Sequence, residues 1–481
     1  MKVNTVRKEL QEVLPLYEIV EDCIQGEARI KSKGEKYLNR DRGLDSITYN
    51  NIKNIASFVP VTNRAIDGFI GLLTMETPIF NASERFKEFV YKNGVDLNRR
   101  SPEEFYKNEV ETFFTYGRMG MLTDYIKLEE VSNMKQAEMT KNRAISSIYS
   151  GAEIINWKYR YGDLVLVVLK ENFCEESEDF FVDNNVEQYR VLRIDSDGFY
   201  VQEVYRENED GDFYVHDSFD IFLNGQRLNF IPFKIRNYDG SDPDTVPNPP
   251  LYDMCSLNIK HYNNSADLES ASHIVGTPTP VMKKDLTETE QDNLDEDINP
   301  AYDAIVNGYE RGSSEFVFGI NSMNVIGINE SVEYLEFQGT GLSIIKQLME
   351  EKKDEMGKIG ARFLVDEKAG AESYETEKLR RSGEFSIVAS IGISCGEALR
   401  ESMEMMNMWM FNDTSKIEYI VNTDFGSSGH SIESLRLLLD ALLNGKLPFE
   451  DFYQALKENK LVSNKKEASV ALDKIREEYI V

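Results

Sequence analysis

The first 150 residues carry apolar positions at helical spacing. One apolar stripe covers 6–20, and a second covers 61–73 directly after a proline. Ser101 followed by Pro102 and two glutamates is typical of a helix start, because the serine side chain can accept from the first unpaired amides. This pattern predicts a helix that runs to about Tyr116 and ends at the glycines that follow it.

Between residues 154 and 233 the apolar period changes to two, which is typical of β-strands. Asp197-Gly198 separates two of these apolar runs and favours a hairpin there. Including a short segment just before this region, strands are predicted at 119–125, 163–169, 189–194, 199–205 and 213–222.

The strongest interruption of the chain is the segment 240–250, which has four prolines in eleven residues. Beyond it the pattern predicts three long helices, at 251–275, 342–364 and 377–411. A mixed segment and a polar loop separate these helices, at 277–337 and 365–376. Shorter elements are expected in the remainder, with strands near 315–318, 332–337 and 416–421 and short helices over 431–479.

The second long helix carries an unusually narrow apolar stripe, about 100° wide on a helical wheel. Its members are Leu342, Ile345, Met349, Met356, Ile359 and Phe363. A helix this long with so narrow a stripe is expected to need equivalent neighbours. The first long helix is instead rich in Asn and Ser, which suits close packing between helices in a symmetric assembly. A solvated helical hairpin projecting from a monomer is the alternative.

Composition sets the limits on the class of protein. Of 481 residues, 41% are hydrophobic and 29% charged, which is enough for a sizeable core and excludes global disorder. The length suggests about three domains or one elaborated body. The formal net charge of −30 argues against a surface that grips nucleic-acid phosphates or anionic lipid. No apolar stretch is long enough to span a bilayer, so no membrane partner is expected.

The cysteines and the N-terminal segment indicate the compartment. The four cysteines are scattered without a CxxC pair, which predicts reduced thiols rather than a disulfide framework. The first residues are amphipathic and charged, without the apolar run of a signal peptide. We therefore expect a chain that is made and assembled in a cytoplasm.

Catalytic and cofactor signatures are sparse. The sequence has no P-loop, no GxGxxG and no zinc-type histidine spacing, so no cofactor and no metal are expected. The exception is 392–396, which satisfies GxSxG with Ser394 as the nucleophile, His430 as a downstream base, and Asp413 or Asp424 to orient it. Against a serine hydrolase, a helical period continues through the motif, and no alternation of strands and helices precedes it. We expect a non-enzyme, with the hydrolase as an alternative.

The order of these elements, with several stretches inside it, resembles the portal proteins of tailed bacteriophages. The stretches run in family order and cover most of the chain from about residue 60 to 425. They are IDGFIGLLTMETP (66–78), YGRMGMLTDY (116–125), EIINWKY (153–159), HYNNSADLESASHIVGTPTPV (261–281), LEFQGTGLSIIKQLMEEKKDEMGKIGARFL (335–364), ETEKLRRSGEFSIVASI (375–391) and IVNTDF (420–425). The first 60 residues carry no stretch of this kind.

The resemblance implies a portal-type α+β fold, mainly helical, that assembles into a ring. The first part would be an α/β wing at 1–250, with a β-rich region at 154–235. Two stem helices, at 251–275 and 341–364, would flank a mixed clip at 276–340. A tunnel loop at 365–376 would follow, then a long helix and return to the wing at 377–429, and a helical crown at 430–481. The narrow stripe of the second stem helix could then be buried between copies around the ring.

The resemblance also implies function. A dodecamer at one capsid vertex would conduct double-stranded DNA during packaging and ejection. It would bind the terminase and later the head-completion adaptor. In the virion it would also contact the major capsid and scaffolding proteins. The channel-facing candidates are Gln347, Glu351, Asp354, Lys358 and Arg362. The tunnel-loop candidates are Asp366, Glu367, Lys368, Glu372 and Tyr374. A non-portal structural ring of a virion is the remaining alternative.

Overall fold

In its described residues the chain has a helical body, two larger antiparallel sheets, three two-stranded sheets and three long helices, which confirms the predicted α+β class. The computed structural model describes residues 2–40, 44–126, 142–175, 181, 184–276, 281–283, 324–326, 340–361, 374–423, 438–439, 441–442, 446 and 448–458.

Six helices precede the first long sheet strand. They are α1 (Lys8–Gln25), α2 (Glu27–Ser32), α3 (Ser46–Ile55), α4 (Val61–Leu73), α5 (Glu84–Asn93) and α6 (Pro102–Tyr116). The predicted start of α6 is confirmed: Glu104 N donates to Ser101 Oγ at 3.2 Å, and Ser101 N donates to Glu104 Oε2 at 3.0 Å. The helix ends at Gly117, whose φ of 67° is the left-handed conformation that glycine adopts without strain.

Most of the described strands belong to two antiparallel sheets, and one of these strands, at 143–150, was not predicted. The three-stranded sheet has the order β11-β2-β3, and the five-stranded sheet has the order β4-β5-β6-β7-β8. The bounds are β1 (Ile79–Asn81), β2 (Arg118–Ile126), β3 (Arg143–Ser150), β4 (Ile154–Arg160), β5 (Asp163–Glu175), β6 (Asn184–Ile194), β7 (Tyr200–Glu207), β8 (Phe213–Asp220), β9 (Phe222–Leu223), β10 (Gln226–Arg227) and β11 (Phe233–Asn237). The hairpin predicted at Asp197-Gly198 joins β6 to β7.

The three predicted long helices are α7 (Tyr252–Gly276), α8 (Thr340–Met356) and α9 (Tyr374–Phe411). In the second, α-helical geometry stops at Met356 and a π-helical turn, Gly357–Ala361, follows, so the end predicted at 364 stays a prediction. Two glycines in this turn weaken the α-helix there. Residues 362–364 lie outside the described residues.

The segments after α7 and α9 are described only in part. β12 (Val281–Lys283) and β13 (Asn324–Ile326) pair in parallel, whereas the strands predicted at 315–318 and 332–337 lie outside the described residues. The strand predicted at 416–421 is confirmed as β14 (Glu418–Ile420), which pairs with β1. In the tail, α10 (Phe449–Glu458) begins directly after Pro448.

Apolar side chains join these elements into two main clusters. The larger cluster packs α4, α6 and α9 together and includes Cys255 in the first turn of α7. The second cluster buries one face of α1 against both sheets, with Tyr17, Trp157 and Phe233 among its members. The start of α7 is therefore fixed in the core of the body.

The proline-rich segment before α7 is anchored by the buried side chain of Arg118. Its guanidinium donates to Asn237 Oδ1 at 2.9 Å and to the carbonyl oxygens of Thr245 and Pro243 at 3.0 and 2.9 Å. Burial lowers the pKa of Arg118 to about 10, so the group remains charged at neutral pH. This side chain supplies the donors that the carbonyl groups of an irregular segment need.

The indole ring of Trp157 packs against the same guanidinium. The guanidinium carbons of Arg118 and Arg7 lie 4.3 and 4.5 Å from the ring centroid of Trp157. Asp244 Oδ1 accepts from Trp157 Nε1 at 2.9 Å and from Arg7 Nη1 at 2.8 Å. Trp157 thus joins three segments: the N-terminal arm (residues 2–7, before α1), β4 and the segment leading to α7.

Candidate functional site

The polar side chains of α7 bind other parts of the same chain. Asn258 Nδ2 donates to Val59 O at 2.8 Å, and Ser57 N donates to Ser265 Oγ at 3.1 Å. Asn263 Nδ2 donates to the carbonyl oxygen of Tyr37 at 2.7 Å. These residues satisfy irregular backbone between the N-terminal helices. Asn258, Asn263 and Ser265 therefore serve contacts within the chain, whereas the expectation of packing between copies stays a prediction for the rest of the helix.

Helix α8 packs against α7. Cys255 in the first turn of α7 and Met356 at the end of α8 both belong to the larger buried cluster. Asn264 accepts from Lys352 Nζ at 3.0 Å when its amide is oriented to satisfy both of its partners. The π-helical turn after α8 packs against α4. At one end, the α7–α8 pair is therefore packed into the larger buried cluster of the helical body.

A buried imidazole lies in this contact. His261 is 4% exposed, and its Nδ1 has no hydrogen-bond partner among the described residues. Burial lowers the pKa of His261, Lys353 and Lys352 lower it further, and Glu350 opposes them. The α7–α8 contact therefore favours the neutral imidazole.

We expect the stability of the chain to fall on mild acidification because of His261. An exposed imidazole has a pKa of about 6.5, and the folded pKa lies below it, so the unfolded state takes up the proton first. The contribution is complete above about pH 7.5 and is lost as the pH falls through about 6.5 towards the folded pKa. Thermal midpoints measured between these limits check this. His261→Gln should flatten the dependence, whereas His216→Gln, on exposed β8, should keep it.

The face of α8 predicted to line a channel is open to solvent in the single chain. Gln347, Glu351, Asp354 and Lys358 are all exposed, and Gln347 Nε2 donates to Glu351 Oε1 at 2.9 Å. Residues 340–361 carry four lysines and four acidic residues, so this segment is formally neutral in a chain of net charge −30. Such a surface neither attracts nor repels phosphates strongly.

Large apolar side chains are exposed beside this polar face. Ile344 is 58% exposed and Leu348 is 42% exposed, one turn apart on α8. Leu342, Ile345 and Met349 are only half-buried, whereas Met356 is buried. Packing against α7 therefore leaves apolar surface of α8 uncovered by the described residues, which is typical of a helix that meets a further partner.

The remaining predicted channel and loop residues divide into two groups. Arg362, Asp366, Glu367, Lys368 and Glu372 lie outside the described residues. Tyr374 was placed in the loop, and this was wrong, because it is the first residue of α9.

The GxSxG segment lies inside α9, as its helical period predicted. Residues 392–396 are continuous helix, so the strand that a nucleophile elbow needs before its serine is not present at 385–391. Gly392 lets α9 approach Tyr106, whose hydroxyl donates to the Gly392 carbonyl at 3.3 Å. His430 lies outside the described residues. The glycine here serves close helix packing.

Within the part of the chain that the structure describes, no group of three or more His, Cys, Asp or Glu side chains could hold a metal ion. Among the same residues, no helix has both the length and the apolar character that a bilayer crossing requires.

A buried carboxyl on α6 escaped the sequence analysis. Glu109 is fully buried, and neither of its oxygens has a hydrogen-bond partner among the described residues. Burial raises the pKa of Glu109 well above its usual range, and the guanidinium of Arg236 opposes this rise. Its position four residues from Phe105 and from Phe113, on the apolar face of α6, was the signal that could have revealed it.

A comparison with known protein families matches the part of the chain that contains the α7–α8 pair. A family described as a domain of unknown function, DUF4055, matches residues 250–410, about a third of the chain. The match begins where the proline-rich segment ends and closes one residue before the end of α9, so it includes α7, α8 and nearly all of α9. No curated protein matches the chain.

Proposed function

We propose that the chain is the subunit of a portal ring in a tailed bacteriophage, forming the channel through which double-stranded DNA enters and leaves the capsid. The observation that carries the proposal is the α7–α8 pair. It is rooted in the core of the body, and its second helix leaves Ile344 and Leu348 exposed beside a charge-balanced face. The resemblance of the sequence to portal proteins supplies the remaining argument.

Ring assembly accounts for the apolar surface of α8. Neighbouring copies related by a closed rotation would each cover the exposed apolar side chains of the next. The exposed Gln347, Glu351, Asp354 and Lys358 would then face the lumen. A neutral lining suits a duplex that must slide, because excess lysine would hold the phosphates and excess acid would repel them.

The other parts of the chain take the roles that the resemblance implies. Residues 276–340 would form the clip that meets the terminase and later the head-completion adaptor. The body would contact the major capsid and scaffolding proteins, which places the assembled ring in the virion. Its role would be mechanical, with ATP hydrolysis left to the terminase.

We expect charge at the exposed apolar residues Ile344 and Leu348 of α8 to prevent assembly. In Ile344→Glu/Leu348→Glu, carboxylates would have to be buried between copies, which opposes association strongly. Sedimentation velocity should show loss of nearly all of the ring species, while the folded subunit changes by no more than about 0.5 kcal/mol because both sites are exposed.

A matched control is available on α3. Ile47 and Ile55 are 76% and 45% exposed. Ile47→Glu/Ile55→Glu makes the same chemical change on a helix to which the proposal assigns no contact between copies, and it should assemble normally. Rings of normal abundance in the α8 variant would remove α8 from the assembly contact.

A further inference from the structure

The five-stranded sheet has two edges, and the chain treats them differently. The edge of β4 is covered by the N-terminal arm: Arg7 N donates to Ile155 O at 2.9 Å, and Arg7 Nη1 donates to Trp157 O at 3.1 Å. β8 pairs with β7 on one side only. Among the described residues, none donates to or accepts from the outer backbone edge of β8.

The side chains of β8 do not include the lysines and prolines that commonly block an open edge. Edge strands are usually blunted by lysines, prolines or short length. β8 has 8 residues, and the stretch 207–220 contains no Lys, Arg or Pro. Tyr214, Val215 and Phe219 are each nearly half exposed, at 46–47%. The strand therefore offers unpaired backbone together with apolar side chains.

The charges around the strand select what can pair with it. The stretch 207–220 carries six exposed acidic residues, Glu207, Glu209, Asp210, Asp212, Asp217 and Asp220. Among the described ion pairs with Lys or Arg, one involves these six acids: Asp220 contacts the guanidinium of Arg227 at 2.5 Å. A second copy would set acids against acids, in a chain whose net charge is already −30. A basic strand would instead find complementary charge at the turn before β8 and at Asp217 and Asp220 within it.

We propose that β8 is a docking strand for an extended, lysine- or arginine-bearing segment of a partner protein, which adds to the sheet as a sixth strand. The backbone edge supplies the hydrogen bonds, the exposed apolar side chains supply contact area, and the acids determine the sign of the partner's charge. This inference goes beyond the proposed ring and does not depend on it.

The test uses the full chain and a fluorescein-labelled peptide of alternating Lys and Val with the length of β8. Fluorescence anisotropy should show saturable binding that weakens about tenfold or more as the salt rises from about 0.02 to about 0.2 M. Amide hydrogen exchange should slow in β8 when the peptide is bound, because its outward amides become paired.

Two double variants separate the effect of charge at β8 on peptide binding from the effect of the overall net charge. Asp212→Lys/Asp217→Lys should weaken binding about tenfold or more at low salt. Asp163→Lys/Glu88→Lys makes the same change in net charge at exposed sites elsewhere and should bind within about twofold of the original chain. Equal thermal midpoints for the two variants establish that both are folded.

Three results would overturn the proposal. The first is equal binding by a peptide of the same charge whose two central residues are proline, because it cannot pair as a strand. The second is exchange protection of β8 without peptide that disappears on dilution, which would assign the edge to a second copy. The third is absence of binding at about 1 mM peptide in low salt.

Discussion

Replacing Trp157 by alanine is expected to lower the free energy of unfolding by about 3–5 kcal/mol, the range for removing a large buried aromatic side chain. The indole is buried, stacks with the guanidiniums of Arg118 and Arg7, and donates to Asp244. Its loss would leave a cavity beneath a charged, fully buried arginine. Thermal and urea unfolding followed by far-ultraviolet circular dichroism, at one protein concentration, measure the effect.

Trp157→Phe is the control for this prediction. It keeps an aromatic ring for the two guanidiniums and loses the Nε1 donor to Asp244, so a smaller loss of about 1–2 kcal/mol is expected. If Trp157→Ala cost less than about 1 kcal/mol, the proposed anchor of the segment before α7 would not be a significant source of stability.

Gly94→Ala should have the second large effect, about 2–4 kcal/mol, because two penalties combine at one position. Gly94 follows α5 with a φ of 76°, a conformation unfavourable for residues with a side chain. A Cβ there would also overlap the backbone of Arg99, which cannot rotate away. The loop is held by Val95 N donating to Arg100 O at 2.9 Å and by Arg143 donating to Asp96 O at 3.0 Å.

Gly198→Ala isolates the conformational part of this loss. Gly198 has a φ of 83°, and nothing lies within 4 Å of the position that its Cβ would take. We therefore expect about 1 kcal/mol from the backbone alone. Equal losses at the two glycines, measured by the same unfolding experiments, would show that the loop adjusts to the added carbon without cost.

Local chemistry made the helices predictable. The capping box at Ser101 and the proline-rich break before Tyr252 are signals carried by neighbouring residues, and the helix bounds followed from them within a few residues. The start of α9 was less predictable, because the polar residues near Tyr374 are compatible with either a loop or a helix start. The division of the chain into wing, stem, clip and crown stays a prediction.

The partners of polar residues could not be predicted in the same way. Asn258 and Ser265 looked like contacts between copies, but they satisfy backbone groups about 200 residues away in the sequence. The stack of Trp157 on Arg7 and Arg118 likewise joins distant segments that no local pattern relates. Long-range pairing depends on how the elements pack, which hydrophobic periodicity does not encode.

The candidate channel face was predictable as a surface but not as a site. The helical wheel separated exposed Gln347, Glu351 and Asp354 from the buried Met356, but it also placed Ile359, which is 37% exposed, in the apolar stripe. What those side chains face in an assembly depends on other copies, which the contacts of a single chain do not contain. The function assigned to this face is therefore our proposal.

Electron microscopy of the purified full chain in negative stain, with rotational averaging of end-on views, tests the central claim most directly. The account predicts closed rings with a central hole, twelvefold in the virion, and their loss in Ile344→Glu/Leu348→Glu. A monodisperse monomer across the concentrations at which rings should form, or closed particles without a central hole, would contradict it.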